Sequence, residues 1–217
     1  LHMKLPYKTL ERKLFADGYR RIIGVDEVGM GCLAGPVAVC AVLFNKKFFN
    51  RKHKKLHRLR DSKLLSPHQR EKFVGELLKE KIFNFRISYC YPKTIDRLNI
   101  YQAARLAMRR AINKLMPSTK RSALSIVLVD GKNKIDKLNI EQTSIIKGDR
   151  KIFSIACASI IAKVFRDKMM RNYAKKYPQY GFEKHKGYST KFHRAQLAIC
   201  GYCPIHRKSF APISRLL

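Results

Sequence analysis

Apolar positions change their period several times along the chain, and each change marks an element. From Tyr7 to Ala16 they fall near helical spacing and stop at Asp17-Gly18, which predicts a helix with a defined end. Arg21 to Val25 and Val37 to Phe44 are compact apolar runs, predicted as strands around a glycine-containing turn from Gly29 to Gly35. Asn45 to Arg60 carries Lys46, Lys47, Arg51, Lys52, Lys54, Lys55, Arg58 and Arg60 with few apolar residues, and reads as an exposed basic loop. Ser66-Pro67 opens a helix in the order cap then proline, with Phe73, Leu77 and Leu78 as its stripe and an end near Ile82. Phe85 to Tyr91 alternates like a half-buried strand, and Pro92 to Met116 reads as one helical stretch stopped by Pro117. Ser125 to Val129 and Thr143 to Ile146 are short strands, and Phe153 to Tyr173 is a helix. The tail from Tyr177 to Ile213 is irregular around one short helix, Lys191 to Ile199, and reads as a surface lobe that touches a ligand.

Strands that alternate with helices predict an α/β domain around one mixed sheet, a class too common to fix a function. At 217 residues and 46% hydrophobic the chain accommodates one domain with a real core and a small appended part, not two full domains. Leu1-His2-Met3 places a methionine third and reads as a cloning remnant. No apolar run approaches the roughly 18 to 20 residues that span a bilayer, and no signal-peptide core follows the charged start, so a soluble cytoplasmic protein is expected.

Charge narrows the partners. Lys and Arg number 47 against 15 Asp and Glu, a formal net charge of +32. The partner is therefore anionic, and nucleic acid, an acidic membrane surface and an acidic protein all satisfy that. Cys32, Cys40, Cys90 and Cys157 lie in apolar or small-residue stretches where a thiol packs as a small hydrophobe. Cys200-Gly-Tyr-Cys203, with His193 and His206 nearby, has ligand-like spacing but no second close cysteine pair, so structural zinc is not expected.

Scarcity makes the acids informative. Asp26-Glu27 follows Ile22-Ile23-Gly24-Val25, Asp130 follows Ile126 to Val129, and Asp149 follows Ile145-Ile146-Lys147-Gly148. Strand ends at one sheet edge converge, and carboxylates gathered there repel one another unless cations or hydrogen bonds compensate. Magnesium or manganese resolves the conflict, with two ions about 3.5–4 Å apart, one generating the attacking hydroxide and the other stabilising the leaving oxygen of a phosphodiester. Taken singly, each acid is as well explained as a turn cap or as the partner of an abundant lysine or arginine.

At these residues the chain resembles ribonuclease HII, the type 2 ribonuclease H, from about Tyr19 to Ile213. The block Gly24-Val-Asp-Glu-Val-Gly-Met-Gly-Cys-Leu-Ala-Gly-Pro-Val37 is similar to the family's first motif. Asp61-Ser-Lys63 with Leu65-Ser66 and Arg70-Glu71, Val129-Asp-Gly131, Ile146-Lys-Gly-Asp149 and Ser154 to Val164 with Arg166-Asp167 follow in the family's order. Tyr177 to Phe182, His185-Lys-Gly-Tyr188 and His206 to Pro212 complete the set. The resemblance implies a ribonuclease H-like mixed five-stranded sheet flanked by helices, a catalytic domain over 4–176 and a small helical C-terminal lobe over 177–217 that helps hold the duplex. It implies Asp26, Glu27, Asp130 and Asp149 as metal-binding catalytic acids for two Mg2+ or Mn2+ ions. Asp167 lies late in the helical stretch from Lys163 to Met170, and that position favours a supporting or structural role. A monomer is implied.

The implied activity is hydrolysis of the RNA strand of RNA–DNA hybrids. It includes cleavage 5′ of a single ribonucleotide in duplex DNA, leaving 3′-hydroxyl and 5′-phosphate ends. A 2′-hydroxyl distinguishes RNA from DNA, and reading it requires close backbone approach, which Gly29 and Gly31 permit. An ordinary tight turn would use the same glycines. Tyr188 matches the family tyrosine that packs against the sugar beside the ribonucleotide, and Lys63, Lys147 and Lys186 are candidate phosphate contacts. The chain departs from the family at Met30, where arginine is usual, and at Cys32, where proline is usual. Cleavage is expected to persist with weakened or altered recognition. A non-catalytic basic nucleic-acid-binding protein is the alternative.

Overall fold

The computed structural model describes residues 6–50, 65–79, 83–116 and 124–216. Helix α1 (Thr9–Ala16) precedes strands β1 (Arg21–Val28) and β2 (Val37–Phe44), helices α2 (Lys46–Phe49) and α3 (Pro67–Leu78), and strand β3 (Phe83–Cys90). Helices α4 (Pro92–Leu98) and α5 (Ile100–Leu115) lead to β4 (Ser125–Asp130), β5 (Glu141–Ile145), α6 (Gly148–Lys151) and the long α7 (Phe153–Lys176). Helices α8 (Phe182–His185) and α9 (Lys191–Cys200) lie in the tail. The strands form one sheet in the order β3-β2-β1-β4-β5, antiparallel across β3-β2-β1 and parallel across β1-β4-β5. The expected mixed five-stranded α/β sheet flanked by helices is what the chain forms. Among the described residues no helix is long and apolar enough to cross a membrane.

Both sheet faces are covered. Ile22, Val42, Ile126 and Leu128 pack with Ile155, Ile160 and Ile161 of α7, while Ile23, Val25, Val127 and Val129 pack with Ala103, Ala107 and Ala111 of α5. A strand buried on two sides has no polar face to alternate with, so β1 and β4 read as unbroken apolar runs. Each Val, Ile or Leu side chain among them taken fully from water stabilises the fold by about 1.5–3 kcal/mol.

Helix α7 approaches β1 very closely. A Cβ on Gly24 would stand 2.4 Å from the backbone carbon of Ser154 and 2.7 Å from the amide nitrogen of Ile155. The N-cap of α7, Ile152, offers no side-chain acceptor. Buried Glu11, from α1, supplies one instead, accepting the Ser154 amide at 2.8 Å. Burial raises the Glu11 carboxyl above its ordinary value, partly offset by hydrogen bonds from Ser154.

The structure corrects several expectations. The stretch from Asn45 does not run entirely as an exposed loop: Asn45 caps α2 by accepting the Phe48 amide, and Phe48 and Phe49 enter an aromatic cluster with Phe15, Phe44 and Phe153. Two adjacent aromatics bury more surface than the neighbouring lysines can keep in water. Residues 51–60 of that stretch lie outside the described residues. The stretch from Pro92 to Met116 is two helices, because Asn99 takes φ 67 and its side chain accepts the Gln102 amide, capping α5 afresh. Helix α3 begins as expected, with a reciprocal capping box between Ser66 and Gln69. It ends at Leu78, short of Ile82. Strand β1 runs on through Asp26 and Glu27, and Asp149 sits in α6 and not at a strand end.

A third core unites Leu33 and Ala34 of the β1–β2 loop, Met170 and Ala174 of α7, and Tyr180, Phe182, Leu197 and Ile205 of the tail. The tail thus packs against the loop that follows the first two acids.

Candidate active site

Strand register brings the first acids together. Val25 pairs with Val129 in the parallel β1–β4 ladder, so Asp26 and Asp130 emerge at the same level. Lys147, at φ 57, turns the chain from β5 into α6. The Gly148 and Asp149 amides then donate to Asp130 Oδ1 at 2.6 and 3.4 Å. A Cβ on Gly148 would lie 3.2 Å from that oxygen and 2.6 Å from Ile155 Cδ1, so glycine is what lets the turn close on the carboxylate. Asp26, Glu27, Asp130 and Asp149 line one open cleft.

Asp26 is the most conflicted of them. It is 5% exposed. Burial raises its carboxyl well above the ordinary range, and the charges of Glu27 and Asp130 raise it further. The Ser159 hydroxyl and the Glu27 amide, 2.7 Å from Asp26 Oδ1, pull the other way. Among the described residues no group of three or more His, Cys, Asp or Glu side chains is arranged to hold a metal ion. The donor set nevertheless fits a hard divalent cation: the oxygens are carboxylate, they share one cleft, and the ionisation of Asp26 is opposed by a negative field that a cation would cancel.

Cations flank the acids. Lys163 and Arg70 line the same cleft, and Asp167 stands behind both, 2.8 Å from Lys163 Nζ and 3.7 Å from an Arg70 nitrogen. Asp167 thus pairs with two cations of the cleft and does not itself line it. Gly29, Met30, Gly31 and Tyr188 also line the cleft. Gly29 is required by an internal contact, since a Cβ there would meet Arg166 Nε at 2.3 Å, whereas a Cβ on Gly31 would meet nothing within 4 Å. Met30 packs at the edge of the α5-side core. Cys32 is buried and pairs with Tyr188 in an isolated antiparallel bridge. Tyr188 is 40% exposed, its ring 5.7 Å from Lys163 Nζ, and burial pushes its hydroxyl up to about 12. Lys147 and Lys186 stand outside the cleft lining, and Lys186 Nζ donates to the Glu183 carbonyl. Lys63 lies outside the described residues.

Arg70, Ser159, Lys163, Arg166 and Arg207 fall inside the motif blocks that carry the resemblance, but the sequence assigned none of them a role. In a chain with 47 basic residues nothing in spacing separates a buried arginine from a solvated one.

The tail holds a histidine relay whose tautomers follow from its donors. The Cys203 amide donates to His206 Nδ1 at 2.9 Å, leaving the proton on Nε2, which faces His193 Nε2 at 3.0 Å. His193 Nδ1 then donates to the Tyr188 carbonyl at 2.9 Å. Cys200 is exposed and takes no part. Burial lowers both His193 and His206 to about 4, from an ordinary 6.5. As pH falls from 6.5 toward 4 the unfolded chain takes up protons that the folded chain refuses, so stability is full above that window and declines through it. The urea midpoint is expected to drop between pH 7 and pH 4.5, and to drop less in His206→Gln. A midpoint that is flat over this range would show the pair is not buried neutral.

The profile of the family described as Ribonuclease HII matches residues 23–213. A ribonuclease HII from Caldicellulosiruptor saccharolyticus is 47% identical over 206 residues, covering 94% of this chain and 93% of that protein. One from Caldicellulosiruptor bescii is 48% identical over 204 residues, covering 94% and 93%. Among solved structures, the ribonuclease H2 from Pyrococcus horikoshii OT3 superposes with a TM-score of 0.73 at 25% identity, over 90% of this chain and 96% of that one.

Proposed function

The chain belongs to the ribonuclease HII family of metal-dependent endoribonucleases, and from that membership and the acidic cleft we propose that it cuts the RNA strand of RNA–DNA hybrids. In this reading it also incises duplex DNA 5′ of a single embedded ribonucleotide, leaving 3′-hydroxyl and 5′-phosphate ends. The observation that carries it is the gathering of Asp26, Glu27, Asp130 and Asp149 in one cleft of a chain with net charge +32. A protein that only bound nucleic acid would gain nothing from carboxylates facing its ligand's phosphates.

Those four acids are the proposed ligands of two Mg2+ or Mn2+ ions. When bound, the ions supply Lewis-acid chemistry and neutralise charge on the phosphate undergoing displacement. The chain's own groups position the substrate. Lys163 and Arg70, held by Asp167, meet the phosphate, and the Gly29–Gly31 backbone meets the 2′-hydroxyl. The Tyr188 ring packs on the neighbouring sugar. Lys147, Lys63 and, once released from Glu183, Lys186 contact flanking phosphates. The lobe from 177 to 217 steadies the duplex against the catalytic part from 4 to 176, and the working unit is a monomer.

A duplex carrying one ribonucleotide is expected to be nicked in magnesium or manganese, and left intact by chelated enzyme or by Asp26→Asn. Cleavage that survives Asp26→Asn overturns the carboxylate mechanism. Tight binding by the wild type with no cleavage in either metal assigns the chain to non-catalytic nucleic-acid binding. Met30→Arg is expected to lower KM for a hybrid by up to about tenfold, the scale of one charge-assisted hydrogen bond. Unchanged kinetics would remove that side chain from recognition.

A further inference from the structure

Two buried arginines that the proposed chemistry leaves unused hold the recognition loop from behind. Arg207 donates to three loop carbonyls: Gly29 at 2.6 Å, Met30 at 2.9 Å and Gly35 at 3.1 Å. Arg166 donates to Pro36 at 2.9 Å and Ala34 at 3.2 Å, and to Lys186, just before Tyr188, at 2.9 Å. Both side chains are fully buried. Burial pushes Arg207 down to about 10, which leaves it charged at neutral pH.

Burying two guanidiniums against one loop is expensive unless their donors are paired, and here each makes three bonds to backbone carbonyls, five of the six within the loop. The consequence is directional. In a trans peptide the carbonyl and the following amide point opposite ways. With the Gly29 and Met30 carbonyls drawn back onto Arg207, the amides of Met30 and Gly31 face away from it. Neither amide enters a backbone hydrogen bond among the described residues, and both residues line the cleft. A cation on the carbonyl side also polarises each peptide and makes its amide a stronger donor. Arg166 ties the same loop to the turn that carries Tyr188, where the Leu33 amide donates to the Gly187 carbonyl at 2.8 Å.

We propose that Arg207, seconded by Arg166, is a positioning residue that aims the Met30 and Gly31 amides at the ribonucleotide's 2′-hydroxyl and sets their distance from Tyr188. This rests on the ribonucleotide-directed reading above. It also explains why a methionine is tolerated between the two glycines, since the loop is held through its backbone and not through residue 30.

The test compares KM for a duplex with one ribonucleotide against the inhibition constant of the same duplex with deoxyribose there. Wild type is expected to prefer the ribonucleotide. Arg207→Lys keeps the charge but cannot meet three carbonyls in one plane. It is expected to raise KM about tenfold, the scale of one lost hydrogen bond to substrate, with kcat little changed and most of the preference gone. A variant that keeps the preference, or that loses kcat at constant KM, overturns the proposal. Absence of the preference in wild type overturns the ribonucleotide reading, and the clamp with it. If Arg207→Lys does not fold, wild type decides. Without divalent ions, the Met30 and Gly31 amides and Arg207 Nε–H are expected to shift together in NMR spectra on binding the ribonucleotide duplex and not the all-DNA one. Amides that respond equally to both duplexes overturn it.

Discussion

Replacing Asp26 with asparagine is expected to abolish cleavage and, in the same molecule, to raise heat stability. With Asp26 as a proposed metal ligand, the loss of activity is about a thousandfold or more, because several kcal/mol of charge stabilisation at the reacting phosphate goes with it. The gain in stability has a separate origin. The Asp26 carboxyl is raised by burial, then by Glu27 and Asp130, so its folded pKa lies above the unfolded one. Between those two values the unfolded chain is ionised while the fold still holds the proton. Stability therefore falls as pH rises through that window, and the penalty stands in full above it. Asparagine keeps the shape and removes the charge. A gain of about 1–3 kcal/mol, the scale for relieving a poorly compensated buried group, would lift Tm by roughly 2–4 °C per kcal/mol in a chain of this size. Divalent ions that bind only the folded state should raise the wild-type Tm and do less for the variant. Thermal melts at pH 7.5 with and without magnesium check this, and a lower Tm for Asp26→Asn would defeat the electrostatic account of the cleft.

Gly24→Ala carries the other large effect, this time on folding. The added methyl group would meet the backbone of Ser154 and Ile155 at 2.4 to 2.7 Å, and backbone at a helix start cannot swing aside as a side chain can. Helix α7 must move off β1, opening the core that Ile22, Ile126, Ile155 and Phe153 share and shifting Ser159 relative to Asp26. Overpacking of this kind costs about 1–3 kcal/mol, occasionally more, and contact with backbone puts Gly24 at the top of that range. A chain this long should then lose roughly 6–12 °C in Tm. Activity at low temperature should fall as well, since the displaced helix also bears Lys163 and Asp167. Gly31→Ala, where no atom lies within 4 Å of the new methyl group, is the control and should leave Tm unchanged. Equal melting temperatures for wild type and Gly24→Ala would show that α7 does not approach β1 in the way described.

The hydrophobic pattern by itself determined the strands and most of the helices, because burial on one or two faces is written directly into residue order. Acids are rare enough here for Asp26, Glu27, Asp130 and Asp149, each following an apolar run, to stand out as candidates, though their expected place at strand ends held only for Asp130. Helix ends and breaks were less legible. The kink at Asn99 depends on a left-handed backbone and a local cap, and the burial of Phe48-Phe49 depends on a distant Phe15 and Phe153, neither of which a window of lysine-rich sequence reveals. What only the tertiary structure decided is which of the abundant cations act inside the protein. Arg166 and Arg207 are far apart in sequence from the loop they hold, and their neighbours resemble those of solvated arginines. Only the fold brings their guanidiniums to the loop carbonyls, because hydrogen-bond satisfaction of a buried charge is a property of three-dimensional neighbours and leaves no period in the chain. Glycine at position 29 was legible as a loop residue, but the reason for it, the Arg166 side chain packed where a Cβ would stand, was not.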